Sequence, residues 1–534
     1  MKYTLALLLT VFLTIAHATD PYPRQDAVDV QRYSFRITLN DSTNIIHGEA
    51  QITILFKKAT DTFFLDLAEK SPQGRGMTVS EVTMDEKSIN YKHTGGRLTL
   101  TLPAATTVGQ VKTVRVRYAG EPEDGILIGK NRYGDRTYFA DHWPDRGHYW
   151  LPCIDHPSDK ATLEFIIVAP EKYQVVASGV KKEETNLEKG MKLTRYVESV
   201  PIAMKVTAVG VARFATEEKA IVDQIPQSIW VYPQDRDAGF NDFAVGVQVF
   251  EYFHKNIGPY PYEKLAHVQS LTRWGGLENA GNIFYRESAV TGKNNIEELI
   301  AHESAHQWFG NSVTERDWHH VWVSEGFATY FALLFLEQAH GSAPMKAELA
   351  KDRDQVVKYF KTNPKPIVDT TITEIRKVLS TNTYQKASWV LHMLRQAVGD
   401  EAFWSGIRTY YKTYRDQNVL TADFQKVMEN ASGKNLGDFF RQWLYTPGQP
   451  SLSVTWTYDK AKSTVKVSVK QEQPNPFRFP LEIRLRMEDG TVVDQTLDIT
   501  ATAGQFTLAS KGRPTALDLD PNCRLLFEGT AKGK

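Results

Sequence analysis

One pattern restricts this chain more than any other. It is the run Ala301-His302-Glu303-Ser304-Ala305-His306-Gln307-Trp308-Phe309-Gly310, whose His306 is followed after 18 intervening residues by Glu325 in Trp322-Val323-Ser324-Glu325-Gly326-Phe327-Ala328. Residues four apart on a helix differ by about 40° around its axis, so His302 and His306 can face one ion. A catalytic zinc takes three protein ligands and keeps a fourth position open, so a third donor must arrive from elsewhere. Glu325 is that donor, on a second helix, because Gly310-Asn311 is placed to end the first helix and turn the chain back. Glu303 follows the first ligand by one residue. There a carboxylate stays near the metal without binding it and can take a proton from water. The pattern therefore demands two packed helices sharing one zinc ion, and it implies hydrolysis.

The rest of the chain frames this core. Its 534 residues allow several domains. Acidic and basic residues balance, 63 against 63, which gives no electrostatic case for nucleic acid or an anionic membrane as partner. Residues 1–18 read as a cleavable secretory signal, with Lys2, an apolar run from Leu5 to Ile15 and the small-residue site Ala16-His17-Ala18. The run is shorter than the ~20 residues a membrane span requires, so export to a periplasmic or extracellular space is expected, without a stable membrane anchor. The two cysteines, Cys153 and Cys523, are expected to be buried free thiols.

Periodicity divides the mature chain into three. From 19 to 209 alternating segments such as Tyr33 to Leu39 and Ala50 to Phe56 predict an antiparallel β domain, and the aromatic, proline-rich stretch from Trp143 to Pro157 a packed loop. From 210 to 448 the pattern is mainly helical, over Phe243 to Asn256, Glu297 to Phe309, Val321 to His340, Tyr384 to Ala397, Glu401 to Tyr414 and Thr421 to Glu429. Asn294 or Asn295 is placed to cap the zinc helix, with Glu297 and Glu298 in its first turn. His319 and His320 lack a ligand's spacing and are expected to face solvent or support the site. From 449 to 534 strands return and predict a β-sandwich. The fold class is thus multi-domain α+β.

Gly275-Gly276-Leu277-Glu278-Asn279, upstream of the zinc motif, completes a resemblance to the gluzincin aminopeptidases related to aminopeptidase N and leukotriene hydrolase. Their signature is Gly-x-Met-Glu-Asn, then His-Glu-x-x-His, then Glu; here Leu277 replaces Met. Pro152-Cys153-Ile154-Asp155, Tyr384-x-Lys386 and Trp443 to Pro450 extend the likeness over nearly the whole mature chain. The resemblance implies a thermolysin-like catalytic domain and a zinc-dependent aminopeptidase acting on peptides with a free N-terminus. It implies that Glu278 binds the substrate's α-amine within the 275–279 segment, and that Tyr384 donates its hydroxyl to the developing oxyanion. Asp141 stands where the family usually offers a glutamine, and it is expected to join Glu278 and favour a basic first side chain. Val323 and Ser324 replace the usual Leu and Asn, Ala387 replaces Gly, and the helical domain that caps the cleft in aminopeptidase N is expected to be missing, leaving the cleft open. The competing readings are an inactive peptide-binding scaffold, an endopeptidase and an epoxide hydrolase. Intact ligands, base and tyrosine oppose the first, and Glu278 opposes a pure endopeptidase.

Overall fold

The alternation at Tyr33 to Leu39 and at Ala50 to Phe56 becomes a pair of strands, Val28–Thr38 antiparallel to Ile46–Phe56, with the buried residues Phe35 and Ala50 opposite each other. Every second side chain enters the core, as the two-residue period of a strand dictates. The computed structural model describes residues 20–534, and the expected signal at 1–18 lies outside the described residues. Val28–Thr38 also runs parallel to Lys160–Pro170, and these strands form the centre of an eight-stranded sheet. A four-stranded sheet and a three-stranded sheet complete the first domain. Strand Val209–Ala212 still pairs with Gln174–Ala177 and Arg136–Ala140, so this domain ends after Ala212 and not at Val209.

The second domain begins with a five-stranded sheet in the order Ala215–Val222, Ile225–Val231, Leu265–Ser270, Asn282–Arg286, Gly276–Leu277. Its last strand is an edge, two residues long, facing the zinc motif. Helices α1 (Arg236–Asp242) and α2 (Gly246–Asn256) are followed by α3 (Glu297–Ala305), α4 (Trp322–His340), α5 (Ser342–Phe360), α6 (Ala387–Val398), α7 (Asp400–Tyr414) and α8 (Thr421–Ser432). From Trp322 to Leu336 nearly every residue of α4 is buried, which makes it the central helix of the domain.

One unforeseen helix appears here, the cap of the zinc helix is corrected, and of the two alternatives for His319 the solvent-facing one falls. Helix α5 was not legible, because only Met345, Leu349, Asp352 and Val356 of its 19 residues are buried and a thin stripe carries little periodic signal. The cap of α3 is Ile296, with no side-chain cap. Asn294 lies instead in the left-handed region at φ 52°, its N–H bonded to Asp242, and Asn295 accepts from Thr291. His319 does not face solvent: it is buried, with Nε2 2.9 Å from Ile372 O, while His320 pairs with Thr421.

After residue 450 come two sheets, of four and three strands, whose buried rows include Val465, Val467 and Val469 on one and Leu481, Ile483 and Leu485 on the other. Cys153 and Cys523 are buried free thiols. Among the described residues no helix is long and apolar enough to cross a membrane.

The first two domains are joined by buried charge. Lys160 Nζ donates to Asn311 O at 3.1 Å and Ser312 O at 2.6 Å, the carbonyls just beyond the zinc motif. Lys205 Nζ meets Glu315 at 2.5 Å, flanked by the rings of Trp143 and Trp318.

Candidate active site

Helix α3 ends at Ala305, and the chain turns back through Gly310 at φ +115°. A Cβ on Gly310 would lie 2.2 Å from Ser324 Oγ, so glycine serves both the left-handed turn and the close approach of α4. That approach brings Glu325, in the first turn of α4, to the two histidines. His302 Nε2 and His306 Nε2 are 3.1 Å apart, and Glu325 Oε2 lies 3.3 Å from His306 Nε2 and 3.6 Å from His302 Nε2. Among the described residues this is the cluster of three donors able to hold a metal ion.

The donors fit zinc. Bonds of about 2.0–2.2 Å in a tetrahedron place ligand atoms about 3.3–3.6 Å apart, close to the spacing observed. Electrostatics agree. Burial alone would depress His306, yet the surrounding carboxylates of Glu325, Glu278 and Glu303 raise it to about 9. Burial works to raise Glu325, but the two imidazoles hold it well below the usual carboxylate range. A pocket that draws a proton onto a buried imidazole favours positive charge at its centre. His306 Nδ1 lies 3.2 Å from both Phe309 O and Ser324 Oγ, so the serine in the usual asparagine position directly supports this ligand.

Glu303 lines the same cavity, of about 250 Å³, with Gly275, Gly276, Leu277, Glu278 and Tyr384. Burial, opposed by His306 and reinforced by Glu278 and Glu325, pushes the Glu303 carboxyl well above its ordinary range, which strengthens it as a proton acceptor. Glu278 Oε1 is buried without a hydrogen-bond partner. Tyr384 does not start a regular helix as its sequence suggested. It sits in a π turn, Asn382–Lys386, that leads into α6, and its ring stacks 6.0 Å from that of His302. Burial and the nearby carboxylates of Glu325, Glu278 and Glu303 keep its phenol protonated, hence a donor.

Two residues of the sequence-predicted site do not line this cavity. Asn279 is buried behind it. Asp141 is fully buried, one carboxylate oxygen paired with Arg146 and the other accepting from Thr272 Oγ1 at 3.2 Å and Arg273 N at 3.1 Å. Its expected partnership with Glu278 is replaced by one with Arg146, whose guanidinium lies over Trp274. Trp143, Trp274, Leu299 and Leu379 line the cavity unforeseen. Leu299 was detectable, three residues before His302 on the same helix face. Trp143 belongs to the loop read as packing, and nothing in the sequence marks Leu379.

Comparison with known proteins matches the Peptidase M1 N-terminal domain to residues 30–204 and the Peptidase family M1 domain to residues 242–443. A glutamyl aminopeptidase of Bitis rhinoceros is 28% identical over 394 residues, covering 69% of this chain and 41% of its own length. A probable aminopeptidase 2 of Sulfurisphaera tokodaii is 26% identical over 402 residues, 71% of this chain and 50% of its own. The chain thus spans half or less of the length of these curated relatives. Among solved structures, an M1 zinc metallopeptidase from Deinococcus radiodurans superposes with a TM-score of 0.68 at 26% identity, over 79% of this chain and 95% of that one. A mutant of that protein bound to a Tyr-Ser-Ala substrate gives 0.68 at 25% identity, over 80% and 96%. The two matched domains follow one another along the chain, and the second carries His302 and His306 at the end of α3 and Glu325 on α4: the chain belongs to peptidase family M1.

Proposed function

We propose that this protein is a zinc-dependent aminopeptidase that removes the first residue from peptides. The observation that carries the reading is Glu278, a buried carboxylate oxygen without a partner, lining the cavity that the His302, His306 and Glu325 cluster also lines. An ammonium group satisfies such an oxygen with a charge-assisted hydrogen bond, which a blocked N-terminus cannot provide. When bound by the three ligands, zinc supplies Lewis acidity toward a carbonyl oxygen and toward water. Glu303 takes the proton of the attacking water and returns it to the departing amine. Tyr384 donates its hydroxyl to the carbonyl oxygen as negative charge grows there. Trp143 and Trp274 wall the cavity and exclude solvent from one side.

The charged groups around Trp274 are paired and offer no free carboxylate to a basic first side chain. Asp141 is matched by Arg146 and Asp124 by Arg273, and Arg376 adds a further cation 4.0 Å from Asp124. The proposed preference is a neutral or acidic first residue, in keeping with relatives named glutamyl aminopeptidases. Export is also proposed, on the composition of residues 1–18. The test is a panel of Ala-, Glu- and Lys-initiated peptides, free and N-acetylated, assayed with and without chelator. Cleavage from the free amine that chelator abolishes is expected. Equal cleavage of acetylated peptides would make the protein an endopeptidase, and peptide binding without cleavage a scaffold.

A further inference from the structure

The edge strand Gly276–Leu277 stops at a three-residue turn. Asn279 N donates to Leu277 O at 2.9 Å, which puts Glu278 at the centre. The Glu278 side chain lines the cavity, while its backbone carbonyl is engaged by the zinc motif itself. That one oxygen accepts from Gln307 Nε2 at 2.8 Å and from Asn311 Nδ2 at 2.5 Å. Gln307 Nε2 also reaches Asn279 O at 3.3 Å, and its Oε1 accepts from Gly281 N at 2.9 Å and Tyr260 OH at 3.2 Å. Both amide side chains are fully buried, and neither lines the cavity. Gln307 adjoins His306 in sequence, and Asn311 N donates to His306 O at 3.0 Å.

We propose that Gln307 and Asn311 are positioning residues that fix Glu278 to the turn bearing the metal ligands, and so set the distance from the substrate's ammonium to the scissile carbonyl. The inference rests on the reading of Glu278 as the amine acceptor. A carbonyl oxygen has two lone pairs, and here each has its own buried donor, which leaves no place for water to substitute. The two donors share one short stretch of chain, from His302 to Asn311, with the two histidine ligands, so any shift of that turn carries Glu278 with it. Without the two amides the turn loses its fixed distance from the metal while the ligands keep theirs. Amine recognition is then lost before hydrolysis is.

Asn311→Asp and Gln307→Glu keep the shape of each side chain but remove the donor and set a carboxylate oxygen against Glu278 O. Tyr260→Phe is a milder perturbation, removing a hydroxyl that reaches Gln307 Oε1 at 3.2 Å and Lys264 O at 3.1 Å. For each, kcat and KM are measured on one peptide, free and N-acetylated, beside zinc content and Tm. The expected result is stoichiometric zinc, a KM for the free peptide raised about tenfold per lost donor, and an unchanged rate on the acetylated peptide. The preference for the free amine falls accordingly, and a smaller fall is expected for Tyr260→Phe. A preference that stays at the wild-type value with zinc bound, or an equal loss of kcat on both substrates, overturns the proposal. Should the two charged variants fail to fold, the preference of Tyr260→Phe decides on the same terms. A wild-type protein that shows no preference for the free amine instead rejects the reading of Glu278, so the two failures are told apart.

Discussion

A methyl group on Gly276 would lie 2.4 Å from Glu303 Oε1. The edge strand and the proposed base thus pack so closely that only a hydrogen fits between them, and the second glycine of the 275–279 segment is needed for what it leaves out. Gly276→Ala is expected to displace the Glu303 carboxylate and lower kcat about 100-fold, the effect of a misplacement near 1 Å. Zinc content should remain at one per chain. Unchanged turnover would mean that the carboxylate tolerates another position.

Glu303→Gln preserves shape and removes the base. The expected outcome is full zinc occupancy with kcat reduced by about 100- to 10,000-fold. Metal analysis beside near-wild-type turnover would exclude Glu303 from proton transfer.

Tyr384→Phe should depress kcat with little change in KM, because the hydroxyl acts on charge that appears in the transition state. Loss of one such donor costs about 3 kcal/mol. A rise in KM alone would assign the hydroxyl to substrate binding.

Metal removal should also loosen the fold, since the three ligands tie α3 to α4. A ligand at 100 times its dissociation constant stabilises by about 2.7 kcal/mol, so chelation is expected to lower Tm and zinc to restore it. An unchanged melting curve after complete zinc removal would show that the helices hold their positions without it.

Stability should depend on pH through Glu198, away from the site. Burial raises its carboxyl to about 7 despite the Val200 N–H bond and nearby Lys264, with Glu263 and Asp416 adding to the rise. The folded state then binds the proton more tightly than the unfolded one, so stability falls as pH rises from about 4.5 toward 7. Glu198→Gln resembles the protonated acid and escapes this loss. Its Tm relative to wild type should therefore climb between pH 5 and pH 8; a difference constant with pH would mean that Glu198 does not titrate in that range.

What the sequence disclosed follows from the range of the interactions involved. His302, His306 and Glu325 were legible because helical spacing and ligand count act over a few residues. Strands such as Ile46–Phe56 were legible because they bury one face alone. Helix α5 was hidden by its sparse buried stripe, and the π turn at Tyr384 by a periodicity that differs from an α-helix by a single residue. Asp141 was misread because its partner Arg146 lies across a turn within the same loop, and no sequence spacing announces that pairing. Trp143 joined the cavity through contact between domains, its ring edge-on to that of Trp318 at 5.4 Å.

The Lys160 bridge bears on how this molecule can be dissected. Its ammonium, carried by the first domain, satisfies the carbonyls of Asn311 and Ser312 immediately after the zinc motif. Cutting the chain near residue 212 would not liberate a smaller working peptidase. It would open the far side of the metal turn to solvent, remove Trp143 from the cavity wall and strand Glu315 without its cation. The β domain is thus an integral part of the catalytic unit, and shortening the protein from that end is a change to its active site.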